Sequence, residues 1–521
     1  LTLGLTSYSQ VQIGNDIDGE NMGDLSGHTV ATSANGNIVA IGAIENNDGG
    51  NRSGHVRVYE NVGGTWTKIG QDIAGEAPDD RSGWSLALSA DGSIVAIGSD
   101  LNNSWKGQVE IYENLGGTWT QIGEDIEGEN FGDISATSIS LSNDGNIVAI
   151  GAPRNDGTAE NSGHVRVFEN VNGAWIQIGQ DIDGEHEQGK LGNSVALNGE
   201  GNIVAIGASQ NDENGTNTGE VKIYENLGGT WTQLGGDING VSAFEDAGFR
   251  VELSEVGNIV AISSAGSNAN GANSGHVRVF ENIGGVWTQI GEDIDGEHEQ
   301  GKLGNSVALN GEGNIVAIGA SQNDENGTNT GEVKIYENLG GTWTQLGGDI
   351  NGVSAFEDAG FRVELSEVGN IVAISSAGSN ANGANSGHVR VFENIGGVWT
   401  QIGEDINGEA TDDYSGWSIA MSASGNIIAI GAVWNDGNGF NSGHVRIFQN
   451  LGGVWTQMGE DINGEAAMDE SGYSVDISAD GSIVAIGGKS NDGNGNFSGH
   501  VRVFDLSTVL SIPAIYLESS I

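Results

Sequence analysis

A tryptophan recurs at Trp66, Trp119, Trp175, Trp231, Trp287, Trp343, Trp399 and Trp455, each within a segment resembling N-x-G-G-x-W-T-Q-I-G. Every step is 56 residues except that from Trp66 to Trp119, which is 53, and Gln10 holds the equivalent place in the first copy. Nine copies of one unit result. A period of this size marks a supersecondary element that covers its apolar face only by packing on its neighbours. It outweighs the several domains that 521 residues would otherwise suggest.

Each copy reads as four strands. The first follows a Ser-Gly or similar pair, as in Ser82 to Leu88, and the second is an apolar run such as Ile94 to Ile97. A short uninterrupted run of that kind suits a strand buried on both faces. Between them lies a tight turn, Asp91-Gly92 or Asp144-Gly145, of the type that closes two-residue hairpins. The third strand alternates, as in His164 to Phe168, and a Gly-Gly turn at Gly116-Gly117 leads to the fourth at Trp119 to Gly123. No segment shows a capped helical period. Burial that falls from the second strand outward is the signature of a propeller blade.

The predicted fold is therefore all-β: a β-propeller of four-stranded blades with nine repeats. The chain opens with a fourth strand (Gln10 to Ile17) and ends with a first, second and third (Ser471 to Phe504), so the N-terminal strand is expected to complete the last blade. Closure of that kind removes the exposed edges that invite aggregation. The alternative is a β-solenoid of nine double coils, whose ends would need caps. Asp181 to Ile294 repeats letter for letter as Asp293 to Ile406, so the nine repeats are seven plus a duplicated pair.

The expected domains are 1–9 as the residue of a signal peptide, 10–505 as the propeller, and 506–521 as a tail or linker to a further domain. The apolar LTLGLTSYS stretch with small residues at Ser7 and Ser9 carries the first expectation and places the protein outside the cell or on its surface. Acidic residues number 71 against 18 basic ones, for a formal charge of −53. So acidic a chain repels phosphate backbones and anionic membranes. No apolar run spans a bilayer, and no cysteine is present. The partners that remain are an extracellular protein or a glycan, bound by a monomer.

The Phe131-Gly132 pair, Gly151-Ala152-Pro153, the Ile-Gly-Ala segments at Ile41 to Ala43, Ile206 to Ala208 and Ile430 to Ala432, and the recurring Ser-Gly-His-Val-Arg-Val-Phe (Ser162 to Phe168) together resemble FG-GAP repeats, the blades of integrin α-subunit propellers. Secreted and surface repeat proteins of Bacteroidota carry similar propellers. The resemblance implies a propeller used for extracellular adhesion or recognition. Many blades of that family hold calcium in a D-x-D-x-D-G loop between first and second strands. Here that connection has shrunk to Ser89 to Ser93, too few oxygens for calcium, so the family site is not carried over.

Three groups of residues are candidates for a site. Oxygen-bearing side chains at Asp436, Asn438, Asp492 and Asn494, between second and third strands, have a spacing that can ligate calcium, the one cofactor considered; the same residues also favour turns. Histidines open the third strand at His55, His164, His276, His388, His444 and His500; on separate blades they cannot converge on one ion, and a hydrogen-bonding role is expected. The residue after the Ser-Gly pair varies where the rest of the repeat does not, and includes His28, Trp84, Phe249, Phe361, Trp417 and Tyr473. If first strands line the channel, these form a ring at one mouth. Exposed aromatics there make an interaction surface, whereas the repeated tryptophans are expected to anchor each outer hairpin on the next blade.

No nucleophile elbow, phosphate loop or zinc-helix motif is present. The reading is a non-catalytic binding or adhesion module that uses one propeller face. A propeller glycosidase or polysaccharide lyase is the first alternative, recognisable by channel carboxylates with raised pKa values. A structural spacer in a large adhesin is the second.

Overall fold

The computed structural model describes residues 10–506, and the predicted signal segment and all but the first residue of the predicted tail lie outside them. Nine antiparallel sheets form successive blades, each running from an innermost first strand to an outer fourth. In the second blade the strands are Ser85–Leu88, Ile94–Ser99, Gln108–Asn114 and Trp119–Gln121. The four-stranded expectation needs one amendment. A fifth strand of two residues, Ile126–Glu127, pairs with the start of the third strand beside Gln108 and Val109. The outer strand breaks because Gly123 takes a left-handed conformation (φ +72°) against the backbone of Trp175 in the next blade.

The second strand is the axis of each core. Ile94 to Ser99 is buried throughout, and so is its counterpart in nearly every blade. Each apolar cluster lies between two blades: Val56, Val58, Ile69 and Ile73 of the first meet Val95, Ile97 and Trp119 of the second. Burying about 200 Å² of indole at about 25 cal/mol per Å² gives an upper limit near 5 kcal/mol per anchor. The direction reverses the expectation: each tryptophan packs on the preceding blade, as Trp66 does on Val501 and Val503 of the ninth.

The ring closes as the termini predict. Val11 pairs with Asp505 and Gln12 with Phe504, while Ile17–Asp18 pairs with His500 and Val501. The innermost strands of the ninth and first blades are then neighbours: Asp476 Oδ2 accepts from the Thr32 amide at 2.8 Å and its hydroxyl at 2.9 Å. A closed ring leaves no place for the solenoid. Gln10 replaces the tryptophan of the last outer strand, and Leu506, assigned from sequence to the tail, is fully buried in the core between the eighth and ninth blades. The sole helix among the described residues, Asn102–Trp105, is a single distorted turn; none is long and apolar enough to cross a membrane.

Candidate binding face

Strand direction alternates across a blade, so turns between first and second strands share one face of the ring with turns between third and fourth. Loops between second and third strands, and those joining blades, share the other. The backbone of the first face is uniform. Its tight turns each hold a left-handed glycine against the preceding blade, as Gly92 (φ +73°) does above Ile38. Asp91 Oδ1 in that turn accepts from the Ser93 amide, the Ser93 hydroxyl and the Ser89 hydroxyl. That oxygen is engaged within the turn.

The second face varies from blade to blade. Each blade-joining loop except that from the ninth blade to the first, which has only Leu25, holds two non-glycine residues at positive φ, among them Phe244 (φ 64°), Phe356 (φ 62°) and Met468 (φ 70°). Backbone held in this sparsely populated region is paid for by the surrounding structure and clusters at functional sites. Phe244 and Phe356 are more than half exposed, and Phe131 on an equivalent loop is 76% exposed.

At the start of the innermost strands the structure brings most of the predicted ring together. His28 stacks on Trp84 with centroids 5.8 Å apart and lies 6.0 Å from Tyr473. Phe361 meets Trp417 at 5.9 Å. Because the ring closes between the ninth and first blades, Phe361, Trp417, Tyr473, His28 and Trp84 occupy five consecutive blades, an aromatic arc made of two contacting groups, Phe361 with Trp417 and Tyr473 with His28 and Trp84. Phe249 stands apart on the fifth blade, exposed, with the Arg250 guanidinium 5.8 Å from its ring. Thr137, Asn193 and Asn305 fill the remaining positions.

Sequence reasoning missed several members. Trp434 stacks on Trp417 at 6.1 Å and meets Tyr414 edge-on at 4.6 Å. Lys489 Nζ sits 3.5 Å from the Tyr473 centroid, and Arg81 lies over Trp84. The available signal was an aromatic at Trp434 where other copies carry Glu45, Arg154 or Gln210. Beyond the arc, Glu252, Glu364 and Asp476 occupy equivalent positions on the innermost strands of alternate blades. Burial pushes Glu252 and Glu364 up to about 7, the second helped by the charge of the first, and Asp476 is raised as well.

The four loop residues with calcium-ligand spacing also make hydrogen bonds within the fold. Asp436 Oδ1 accepts the Asn441 amide at 2.7 Å, and Asp492 Oδ1 that of Phe497 at 2.8 Å. The amides of Asn438 and Asn494 donate to the carbonyls of Gly464 and Gly19.

The histidines depart from expectation. They do not converge on one another, yet acidic groups join them within single blades: Glu20 and Asp48 with His55, Glu129 and Asp181 with His164, Glu409 and Asp461 with His444, Asp16 and Asp18 with His500. Neither ring nitrogen of these four has a hydrogen-bond partner. Burial lowers His55 and His500 to about 3, and His164 and His444 to about 4, so the rings are neutral. An arginine two residues on, Arg57 in the first blade, supplies the fixed positive charge and donates to the Asp18 carbonyl of the neighbouring blade. In the fifth and seventh blades His276 and His388 instead lie 3.0 and 3.2 Å from Glu245 and Glu357.

Residues 407–448 match the family described as the FG-GAP repeat. No curated protein matches the chain. Solved structures to which it is similar include Sqt1 of Chaetomium thermophilum, with 15% identity, 81% of this chain and 97% of that one covered, and a TM-score of 0.49. The β-propeller domain of Cps50 (Swd1) from Myceliophteria thermophila has 10% identity, coverage of 81% and 96%, and a TM-score of 0.40. A Bacteroides uniformis protein provisionally assigned as a 6-phosphogluconolactonase has 12% identity, coverage of 72% and 97%, and a TM-score of 0.42.

Proposed function

We propose that this nine-bladed β-propeller, in which residues 407–448 match the FG-GAP repeat, is a non-catalytic binding module, acting outside the cell, whose ligand seats on the aromatic arc at the channel mouth. The arc carries the proposal. Five neighbouring blades present rings at one level, where three of the four other blades show threonine or asparagine. Flat rings at a partly desolvated mouth gain binding energy from a ligand that offers flat apolar faces. The C–H faces of a sugar ring meet that need, so a neutral glycan is the first candidate and an apolar protein patch the second. The charge of −53 disfavours anionic chains. The same arc weighs against a passive spacer.

The test is a glycan array and a pull-down with the purified protein, repeated with Trp84→Ala and Trp417→Ala. Both variants should lose the ligand while keeping the wild-type circular dichroism. Undiminished binding by both would refute the arc as the site.

One observation favours catalysis on a polysaccharide instead: carboxyls at Glu252 and Glu364 that titrate near neutrality. Release of reducing or unsaturated ends from an array ligand, lost in Glu364→Gln, would establish it.

A further inference from the structure

The second blade breaks a charge rule that the other eight obey. Two residues into the third strand they carry a basic side chain, such as Arg57, Arg166 or Lys222, and the second blade carries Glu110. The duplicated pair of blades shows what the basic group does. Lys222 Nζ lies 2.8 Å from Glu185, 3.1 Å from Glu220 and 3.4 Å from Asp237, and Lys334 repeats the arrangement with Glu297, Glu332 and Asp349 at 2.8, 3.0 and 3.1 Å. A carboxylate from the entering loop, one from the third strand and one from the outer strand thus converge on a cation.

In the second blade the counterparts of Glu185 and Asp237 are kept as Glu76 and Asp125, and Gln108 replaces Glu220. The ammonium they would surround has become a carboxylate. Glu110 is only 2% exposed, its Oε2 has no partner, and the Nε2 of the equally buried Gln108 has none. Tyr112 donates its hydroxyl to the other oxygen, Oε1, at 3.0 Å. Burial and the charges of Asp125, Glu76 and Asp80 push Glu110 up to about 7, and Asp125 in turn raises Glu76. The one nearby ammonium described, that of Lys106, pairs with Glu127. Glu76, Gln121, Asp125 and Glu127 line an open cavity of about 590 Å³ beside the cluster. Uncompensated buried carboxylates are costly unless they pair or coordinate a metal.

We propose that the second blade binds one hard divalent cation of the calcium class through Glu76, Glu110 and Asp125, the ion standing where its sister blades place a lysine ammonium. Three carboxylates, the amide oxygens of Gln108 and Gln121 within the same blade, and a cavity with room for water match the six to eight oxygens that calcium takes, and the open shape does not impose the tight octahedron of magnesium. The site is distinct from the first-to-second-strand loops.

The experiment is calorimetric titration of the chelator-treated full chain with calcium chloride in about 0.15 M potassium chloride, chosen to screen diffuse binding by the acidic surface. Glu110→Lys rebuilds the sister-blade ion pair. It should lower the number of calcium ions bound per chain by one and raise the melting temperature of the ion-free protein. Glu110→Gln, which keeps the shape, should weaken that same ion at least tenfold and decides the matter if the lysine variant does not fold. Equal calcium stoichiometry and affinity in wild type and Glu110→Gln, or a response only to sodium or potassium, would overturn the proposal.

Discussion

The backbone amide of Ala479, in the ninth blade, donates to the carbonyl of Ala34, in the first, at 3.0 Å. It closes a belt. Ala34 donates to Ala90, Ala90 to Asn143, Asn143 to Gly199, and so on through Glu255, Gly311, Glu367 and Ala423 to Ala479, at 2.9–3.1 Å throughout. Each link joins a tight turn to the equivalent turn of the next blade. The belt uses only main-chain groups, which is why side chains at these turns range from alanine to glutamate.

Glycine in these turns is required by geometry. A Cβ on Gly92 would stand 2.7 Å from Ile38 of the preceding blade, at a φ of +73°. Gly92→Val should cost about 2–4 kcal/mol, from overpacking and the left-handed backbone together. Gly116→Val, at φ +64° with open space around it, should cost clearly less because only the backbone term applies. Denaturant titration of both variants checks the ranking.

Two kinds of tryptophan are distinguishable. Trp119 is 1% exposed and joins two blades, so Trp119→Ala should cost about 3–5 kcal/mol. Trp84 faces the channel mouth, and Trp84→Ala should change stability by about 1 kcal/mol or less while removing ligand binding. Chemical denaturation beside a binding assay separates the two effects.

The channel carboxyls set a pH dependence. Glu252 and Glu364 have folded pKa values near 7, above the ordinary carboxyl value, so the folded state binds their protons more tightly than the unfolded chain. Their contribution is fully present below about pH 4.5 and is lost as pH rises through about 7. Glu252→Gln combined with Glu364→Gln should therefore stabilise the protein by on the order of 1–2 kcal/mol at pH 8 and leave it unchanged at pH 4. Melting temperature against pH gives the readout.

The buried histidines act in the opposite sense. His55 and His500 have folded values near 3, below the free value of 6.5, so their contribution is present above pH 6.5 and is lost as pH falls towards 3. His55→Gln should flatten the stability loss between pH 6 and 4. An unchanged acid slope would show that the ring is not buried as a neutral group.

The blade was legible in the sequence because its strands differ in burial. The uninterrupted Ile94 to Ile97 and the alternating His164 to Phe168 leave one order from inside to outside. Closure was legible from chain phase, through the orphan outer strand at Val11–Gln12. The split of the outer strand was not, since two residues at Ile126–Glu127 carry no pattern. The ring of variable positions was legible, but its continuity was not: His28 and Tyr473 are 445 positions apart and meet only because the ring closes. Glu110 was passed over because one acidic residue in so acidic a chain carries no signal until Lys222 shows what its place in the repeat is for.

Closure also carries the binding account, since the arc runs across the seam between Tyr473 and His28. The chain has no cysteine, so a single introduced pair reports without background. Val11→Cys with Asp505→Cys places two thiols on directly paired residues. The closed ring predicts a complete intramolecular disulfide in the monomer under mild oxidation, with a raised melting temperature. Persistent free thiols in the folded monomer, or disulfides only between chains, would contradict it.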